Sequence, residues 1–419
     1  MNIAIIGTGI AGLVAAHHLY RDHNLSIFEA HDWIGGHTHT LDIALGGETY
    51  AIDTGFIVFN DWTYPQFIAL LNELGVASQP TTMSFSVSCQ RTGLEYNGNN
   101  LNTLFAQRRN LLRPSFYRML LDILRFNREA PEFLGQDACL SLGDYLQRER
   151  YSQAFIEQYI IPMGAAIWSS DPQYMMTMPA DYFIRFFKNH GLLSVNQRPQ
   201  WRVIRGGSRE YIQPLTAPWR ERIRLNCPVQ QVRRFSDKVE LTLPGGETAD
   251  FDQVIIAAHS DQALRMLADP SEAESEVLGS IPYQDNSVIL HTDTRLLPKR
   301  RLAWAAWNYH LQEHSLQQAM TVTYNMNMLQ GLTADQTFCV TLNNDSAIDP
   351  ERVLARLRYQ HPLYTPAAVA AQARHADING VQRTWYCGAY WGNGFHEDGV
   401  VSALRVIEQL KSSSTAVSG

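Results

Sequence analysis

The sequence predicts an α/β fold built on a Rossmann-like dinucleotide-binding unit. Three features predict it: an apolar strand at the start, a glycine-rich turn directly behind it, and a second strand closed by an acid. Asn2-Ile3-Ala4-Ile5-Ile6 is short, uncharged and Ile-rich, as a strand covered on both faces must be. Gly7-Thr8-Gly9-Ile10-Ala11-Gly12 follows at once and spells G-x-G-x-x-G. A helical pattern then runs to about Tyr20, with Leu13, Ala16 and Leu19 on one side. Leu25-Ser26-Ile27-Phe28-Glu29 is the second strand and its acid.

Each part has a physical job. Gly7 permits the tight turn, Gly9 lets a pyrophosphate approach the backbone, and Gly12 allows close helix–strand packing. Ile10 and Ala11 open the helix, where free N–H groups and the positive dipole end favour phosphate. Glu29 can accept from a ribose hydroxyl, and a carboxylate there repels a 2′-phosphate, which disfavours NADP.

The composition sets outer bounds. With 419 residues, at about 150 per domain, the prior is two to three domains. The chain is 45% apolar and 18% charged, enough to bury large cores. Its net charge of -7 argues against a nucleic-acid partner. Of the 34 cations only Lys188, Lys238, Lys299 and Lys411 are lysines. Cys89, Cys139, Cys227, Cys339 and Cys387 are widely spaced, so neither a disulfide framework nor a metal site is expected. The first twenty residues lack the basic start of a signal peptide, and Gly7, Gly9 and Gly12 interrupt them as a membrane span. The expected location is cytoplasmic, with peripheral contact at the inner face of the membrane as an option.

Beyond Glu29 stand Gly35-Gly36-His37-Thr38, a hairpin-like stretch turning at Gly46-Gly47, and Asp53-Thr54-Gly55-Phe56-Ile57. This resembles the flavin-containing amine oxidases, phytoene desaturases and protoporphyrinogen oxidases, where an acid is followed by G-G-R-x-x-T and later by a D-x-G-like turn. The resemblance implies FAD as cofactor. It puts Gly35, Gly36, His37 and Thr38 at the pyrophosphate, and Gly55, Phe56 and Ile57 by the flavin. One departure is that His37 stands where the family has arginine, which weakens one phosphate contact.

The resemblance returns near the C-terminus. Cys387-Gly388 ends a strand, and Glu397-Asp398-Gly399-Val400-Val401-Ser402 opens a helix expected from about Gly399 to Leu410, like the family's final flavin motif. It implies Gly388, Glu397, Asp398 and Val400 at the cofactor. Arg205-Gly206-Gly207-Ser208 resembles the turn back into the FAD domain. Residues 222–229 resemble the strand that sets Val229 against the adenine. Residues 304–309, 324–330 and 394–399 are similar to a bacterial branch of predicted NAD/FAD-binding oxidoreductases linked to acyl-chain modification.

The implied architecture is a glutathione-reductase-type FAD-binding domain of the amine oxidase branch, from 1–60, 200–265 and 379–410. An α+β substrate domain is inserted as 61–199, read as mostly helical, and 266–378, read as strands at 287–292, 303–309, 320–326 and 337–342. Residues 411–419 are Ser-rich and expected to form a flexible tail.

There is one G-x-G-x-x-G and no second nucleotide site, so electrons leave to dioxygen, a quinone or a carrier, or the cycle is redox-neutral. None of the four lysines stands on a flavin-facing strand, unlike the lysine that amine oxidases commonly place by the flavin. His396 falls where relatives put an aromatic residue over the flavin; it is the catalytic candidate, as an acid–base imidazole, or else a histidine that orients the loop. Glu397 and Asp398 read as an acid–base pair or as helix caps. Tyr390, Trp391, Phe395 and Trp307 are candidate substrate walls. Trp304 and Trp307, three apart on a presumed strand, point to opposite faces, so at most one lines the cavity.

Residues 108–128 carry six arginines against Asp122, with apolar residues interleaved. They read as a basic amphipathic helix, either lying on an anionic membrane or packed in the substrate domain with a solvated basic face. The expected chemistry is hydride transfer to flavin from a C–H bond of an apolar substrate, an unsaturated fatty-acyl chain or lipid, by desaturation, oxidation or isomerisation. Amine oxidation to an imine, and a flavoprotein that only binds a lipid or a partner, are the alternatives.

Overall fold

The computed structural model describes residues 1–137, 139–312 and 319–417. A five-stranded parallel sheet runs in the order Ile223–Arg224, Asn24–Phe28, Asn2–Ile6, Gln253–Ile256, Thr384–Tyr386. Three separated stretches of chain supply it. Ile3, Ala4 and Ile5 are fully buried because both faces are covered. Helix Ile10–Leu19 and helix His396–Val417 pack on one face. The hairpin sheet Gln231–Arg234, Val239–Thr242, Thr248–Phe251 covers the other.

Helix Ile10–Leu19 has no single apolar side. Ile10 to Ala16 and Leu19 are all buried, since the helix is wedged between sheet and C-terminal helix. The hairpin about Gly46-Gly47 forms as read, pairing Leu45 with Glu48. The C-terminal helix starts at His396 rather than Gly399 and passes Leu410. Residues 411–417 are therefore helical and not a tail, with Ser412 and Ser413 donating to the Glu408 and Leu410 carbonyls; 418–419 lie outside the described residues.

A seven-stranded sheet forms the second layer, in the order Val353–Pro362, Tyr283–His291, Cys339–Leu342, Val322–Asn325, Trp307–Leu311, Phe85–Cys89, Leu94–Asn97. All pairs are antiparallel except Trp307–Leu311 with Phe85–Cys89. Residues 61–199 are mostly helical, as read, and they also donate two strands, Phe85–Cys89 and Leu94–Asn97, to this sheet. Its helices, among them Pro114–Phe133, Ile161–Trp168 and Ala180–Asn189, share the sheet's core through Phe126, Phe155, Phe183 and Phe187.

Residues 108–128 are not one helix. A 3₁₀ turn, Arg108–Leu112, is followed by helix Pro114–Phe133. The break lies at Arg113, which the following proline holds in the extended region, while Pro114 suits a first helical turn that needs no N–H there. Among the described residues no helix is long and apolar enough to cross a membrane, no His/Cys/Asp/Glu group could hold a metal, and all five cysteines are free.

Candidate functional site

A cavity of about 1020 Å³ joins the two sheets. It begins at the C-terminal ends of Asn2–Ile6 and Asn24–Phe28 and reaches the core of the seven-stranded sheet at Val288, Trp307, Tyr324 and Leu342.

Its first part is a cradle for a dinucleotide. Gly9 caps helix Ile10–Leu19 without any side-chain bond, so the first-turn N–H groups remain for a ligand, and Ile10 and Ala11 line the cavity. A Cβ on Gly9 would meet nothing within 4 Å, so the open space beside that backbone is where a phosphate can approach. Behind it the packing is tight: a Cβ on Gly12 would lie 2.0 Å from the Gly7 carbonyl oxygen, and one on Gly399 2.6 Å from Ile10 Cγ2. The Glu29 carboxylate is held by the Thr8 amide at 2.9 Å, the Thr8 hydroxyl at 2.5 Å and the His31 amide at 2.9 Å. It borders the cavity and keeps lone pairs for a ribose hydroxyl. Val229 is buried on the same wall, just past Ile223–Arg224.

Gly35, Gly36 and His37 continue the wall, and the His37 Nε2 is a buried polar atom without a hydrogen-bond partner. The ring lies 5.0 Å from Tyr359, 5.4 Å from His361 and 6.0 Å from His259. Burial, then the neighbouring imidazoles, push its pKa well below the usual histidine value. An open backbone cradle, a fixed ribose acceptor and an orphaned imidazole nitrogen together fit a dinucleotide, FAD included.

Beyond the cradle stand Gly55, Phe56, Ile57, Gly388, Tyr390, Phe395, His396 and Trp307. The structure does not bring Gly12, Thr38, Trp391, Glu397, Asp398 or Val400 to the cavity wall. Glu397 accepts from the Gln66 and Phe67 amides at 3.0 and 2.9 Å and so caps helix Pro65–Glu73 across 330 residues of sequence. Val400 packs against helix Ile10–Leu19, and Trp391 meets His375 edge-on at 4.6 Å.

Asp398 accepts from the Phe395 amide at 2.9 Å, capping its own helix. Burial raises its pKa from 3.8 to about 6 despite that bond. The folded state thus binds a proton more tightly than the unfolded one, and this site's contribution to stability falls as pH rises from 3.8 through about 6. Asp398→Asn should flatten the stability–pH curve in that window; an unchanged curve in thermal melts would refute the assignment.

His396 stacks on Phe56 with ring centroids 3.5 Å apart. Its Nε2 meets the Thr38 hydroxyl at 2.9 Å and the Tyr211 hydroxyl at 3.3 Å, and Thr38 and Tyr211 meet each other at 2.6 Å. Burial drives its pKa down to about 3, so the imidazole is neutral at physiological pH. This geometry suits a positioning residue better than an acid–base group. His396→Gln is expected to keep turnover within about tenfold, whereas losing a general acid–base group costs about 10²–10⁴-fold. A pH–rate profile of the variant that loses an ionisation present in the parent would overturn this role.

Trp307 lines the cavity, 5.2 Å edge-on from Tyr324, and Trp304 does not. The reason is not strand alternation. The strand starts only at Trp307, and Trp304 follows the turn Arg301–Ala303 with its Nε1 donating to the Pro298 carbonyl at 2.7 Å. No lysine lines the cavity among the described residues. Tyr211, His259, Ile167, Trp168, Tyr359 and His361 were missed. Only His259 had a signal, lying just past the C-terminal end of a parallel strand, where ligands bind in such sheets.

A family model described as flavin containing amine oxidoreductase matches residues 10–409. The chain belongs to that family. Its members are FAD-dependent oxidoreductases with a Rossmann-like FAD-binding fold and a substrate domain, and FAD is the cofactor here. AofH of Mycobacterium tuberculosis (strain ATCC 25618 / H37Rv), whose name places it among flavin-containing monoamine oxidases, is 26% identical over 285 residues, 64% of this chain. The alignment spans 59% of that relative's length. The fold is shared with cyclohexylamine oxidase from Brevibacterium oxydans IH-35A, with a TM-score of 0.71 at 15% identity over 98% of this chain and 99% of that one. A CLA-producing fatty acid isomerase from P. acnes gives 0.66 at 15% identity, over 97% and 98%.

Proposed function

We propose that this family member takes a hydride from a C–H bond of an apolar substrate, with an unsaturated fatty-acyl chain or lipid as first choice. The observation that carries the reading is the far end of the cavity. Ile57, Ile167, Val288, Trp307 and Leu342 belong to one continuous apolar core, and no lysine lines it among the described residues. Bound FAD supplies the hydride acceptor. The chain binds the dinucleotide with the first turn of helix Ile10–Leu19, Glu29 and His37. It excludes water with aromatic walls and fixes Phe56 by stacking it on His396. With one nucleotide cradle, the electrons go on to dioxygen, a quinone or a carrier, or return to the same substrate in an isomerisation. Amine oxidation is the second reading. The family's name and that of AofH favour it, and Trp168, Trp307 and Tyr324 could supply an aromatic wall for it.

The test is an anaerobic titration of the purified flavoprotein with unsaturated fatty acid or phospholipid and, separately, with cyclohexylamine. The lipid is expected to bleach the flavin spectrum or to leave with a shifted double bond, read by mass spectrometry. Bleaching by the amine alone sinks the first choice. A flavin that neither bleaches, with the lipid unaltered, points to a binding protein.

A further inference from the structure

The chain carries an exposed apolar stripe that its own fold leaves uncovered. On helix Pro114–Phe133 the buried side holds Phe116, Met119, Phe126 and Ala130. The opposite side presents Tyr117, Leu121 and Leu124 at spacings of four and three, and Leu121 and Leu124 are 62% and 55% exposed. The preceding turn adds Leu112 at 87%. The Tyr117 hydroxyl donates to the Leu111 carbonyl at 3.1 Å, tying turn and helix into one surface. A contiguous apolar stripe of this kind on a protein surface marks a contact site.

The charges around the stripe identify the cover. Arg108, Arg109 and Arg113 donate to backbone carbonyls of Phe105, Gly93 and Thr92, so no carboxylate neutralises them through these bonds. Arg118 and Arg125 share the single acid of the stretch, buried Asp122, at 3.4 Å each. Arg128 pairs with Glu129, and Arg125 lies over the Tyr151 ring at 4.0 Å, so the uncompensated positive charge gathers at Arg108, Arg109, Arg113 and Arg118, at the turn end of the leucine stripe; on a chain of net charge -7 this directs the stripe toward a negative surface. Leucines that enter the acyl boundary while guanidinium groups hold phosphates match an anionic bilayer. An acidic protein would satisfy the arginines and leave the aliphatic stripe without a partner.

We propose that residues 108–128 dock this protein peripherally on an anionic lipid surface. The docking does not depend on which substrate the cavity takes. The experiment is co-sedimentation of the full-length flavoprotein with vesicles of phosphatidylcholine alone or mixed with phosphatidylglycerol, at low and high salt. Binding to the anionic vesicles is expected to be at least about tenfold tighter than to the neutral ones and to weaken with salt. The pair Leu112→Asp and Leu121→Asp should abolish it while flavin content and melting temperature stay unchanged; the conservative pair Leu112→Ile and Leu121→Ile should retain it. Absence of binding to anionic vesicles at low salt, or equal binding by the Asp variant, overturns the proposal. So does capture by polyglutamate beads without vesicle binding, which would assign the surface to an acidic protein.

Discussion

Replacing Gly12 with alanine is expected to leave the purified protein without flavin. The new Cβ would stand 2.0 Å from the Gly7 carbonyl oxygen and 3.1 Å from the Ala257 Cβ. The first of these neighbours is backbone, in a core packed without slack, so helix Ile10–Leu19 must move off the strand that precedes it. Overpacking of this kind costs about 1–3 kcal/mol. The larger loss is functional, because the displaced helix carries the N–H groups that would hold the pyrophosphate. Gly9→Ala is the control: its Cβ meets no protein atom within 4 Å, so the apoprotein should keep its stability and lose affinity only through contact with the ligand. The ratio of flavin to protein absorbance and the melting temperature separate the two. Normal flavin content in Gly12→Ala would show that the seam yields more easily than its packing implies.

The second large effect is on stability. Arg234 and Glu274 form a bidentate pair at 2.6 and 2.9 Å, with side chains only 1% and 2% exposed. The Tyr386 hydroxyl donates to the same carboxylate at 2.6 Å and the Ser271 amide at 2.8 Å. Burial alone would raise the Glu274 pKa, yet the bonds from Arg234 and Tyr386 hold it below the usual glutamate value. Glu274→Ala takes the bidentate partner from a buried guanidinium and leaves it only the half-exposed Asp269, whose carboxylate accepts from the Arg234 Nε at 3.0 Å, so the cost is about 3 kcal/mol, the lower end for a broken buried pair. Calorimetry should show that fall. The double replacement Arg234→Met with Glu274→Leu should recover most of it, since no charge is then stranded. Tyr386 also ends the strand that leads to Gly388 and Tyr390 on the cavity wall, so the single variant should bind FAD more weakly as well. A single variant as stable as the parent would contradict this account.

What could be read in advance was what is local. The strand, glycine turn, helix and acid of the first thirty residues declare themselves because the strand pairing and the bond from Thr8 to Glu29 that define them lie within one βαβ unit. The strand Phe85–Cys89 was legible in principle from its alternation of apolar residues with serine, whereas nothing local announces that Ser86 is buried with its hydroxyl bonded to Asn308, 222 positions away. Strand Val353–Pro362 was hidden by Arg356 and Arg358, which an edge strand can tolerate. The partners of His396 and Glu397 illustrate the same limit. Tyr211 lies 185 residues from one, and the amides of Gln66 and Phe67 lie more than 300 from the other. Motif resemblance brought both residues near the flavin, and only the fold assigns one to stacking and the other to a helix cap. The break at Arg113-Pro114 was legible in principle and was masked by an apolar periodicity that runs through it.

The order of the parallel sheet bears on how the protein is made. Ile5 pairs with Ile255, and Ile255 with Trp385, so the cradle is closed by chain that leaves the ribosome hundreds of residues after its glycine turn. Until residues 253–256 emerge, Asn2–Ile6 has only Asn24–Phe28 beside it, and its open edge must be kept from aggregating while the inserted segments emerge. Because Gly388, Tyr390, Phe395 and His396 line the same cavity as Gly7 to Ala11, flavin uptake is expected to wait until the chain near residue 400 has emerged and folded.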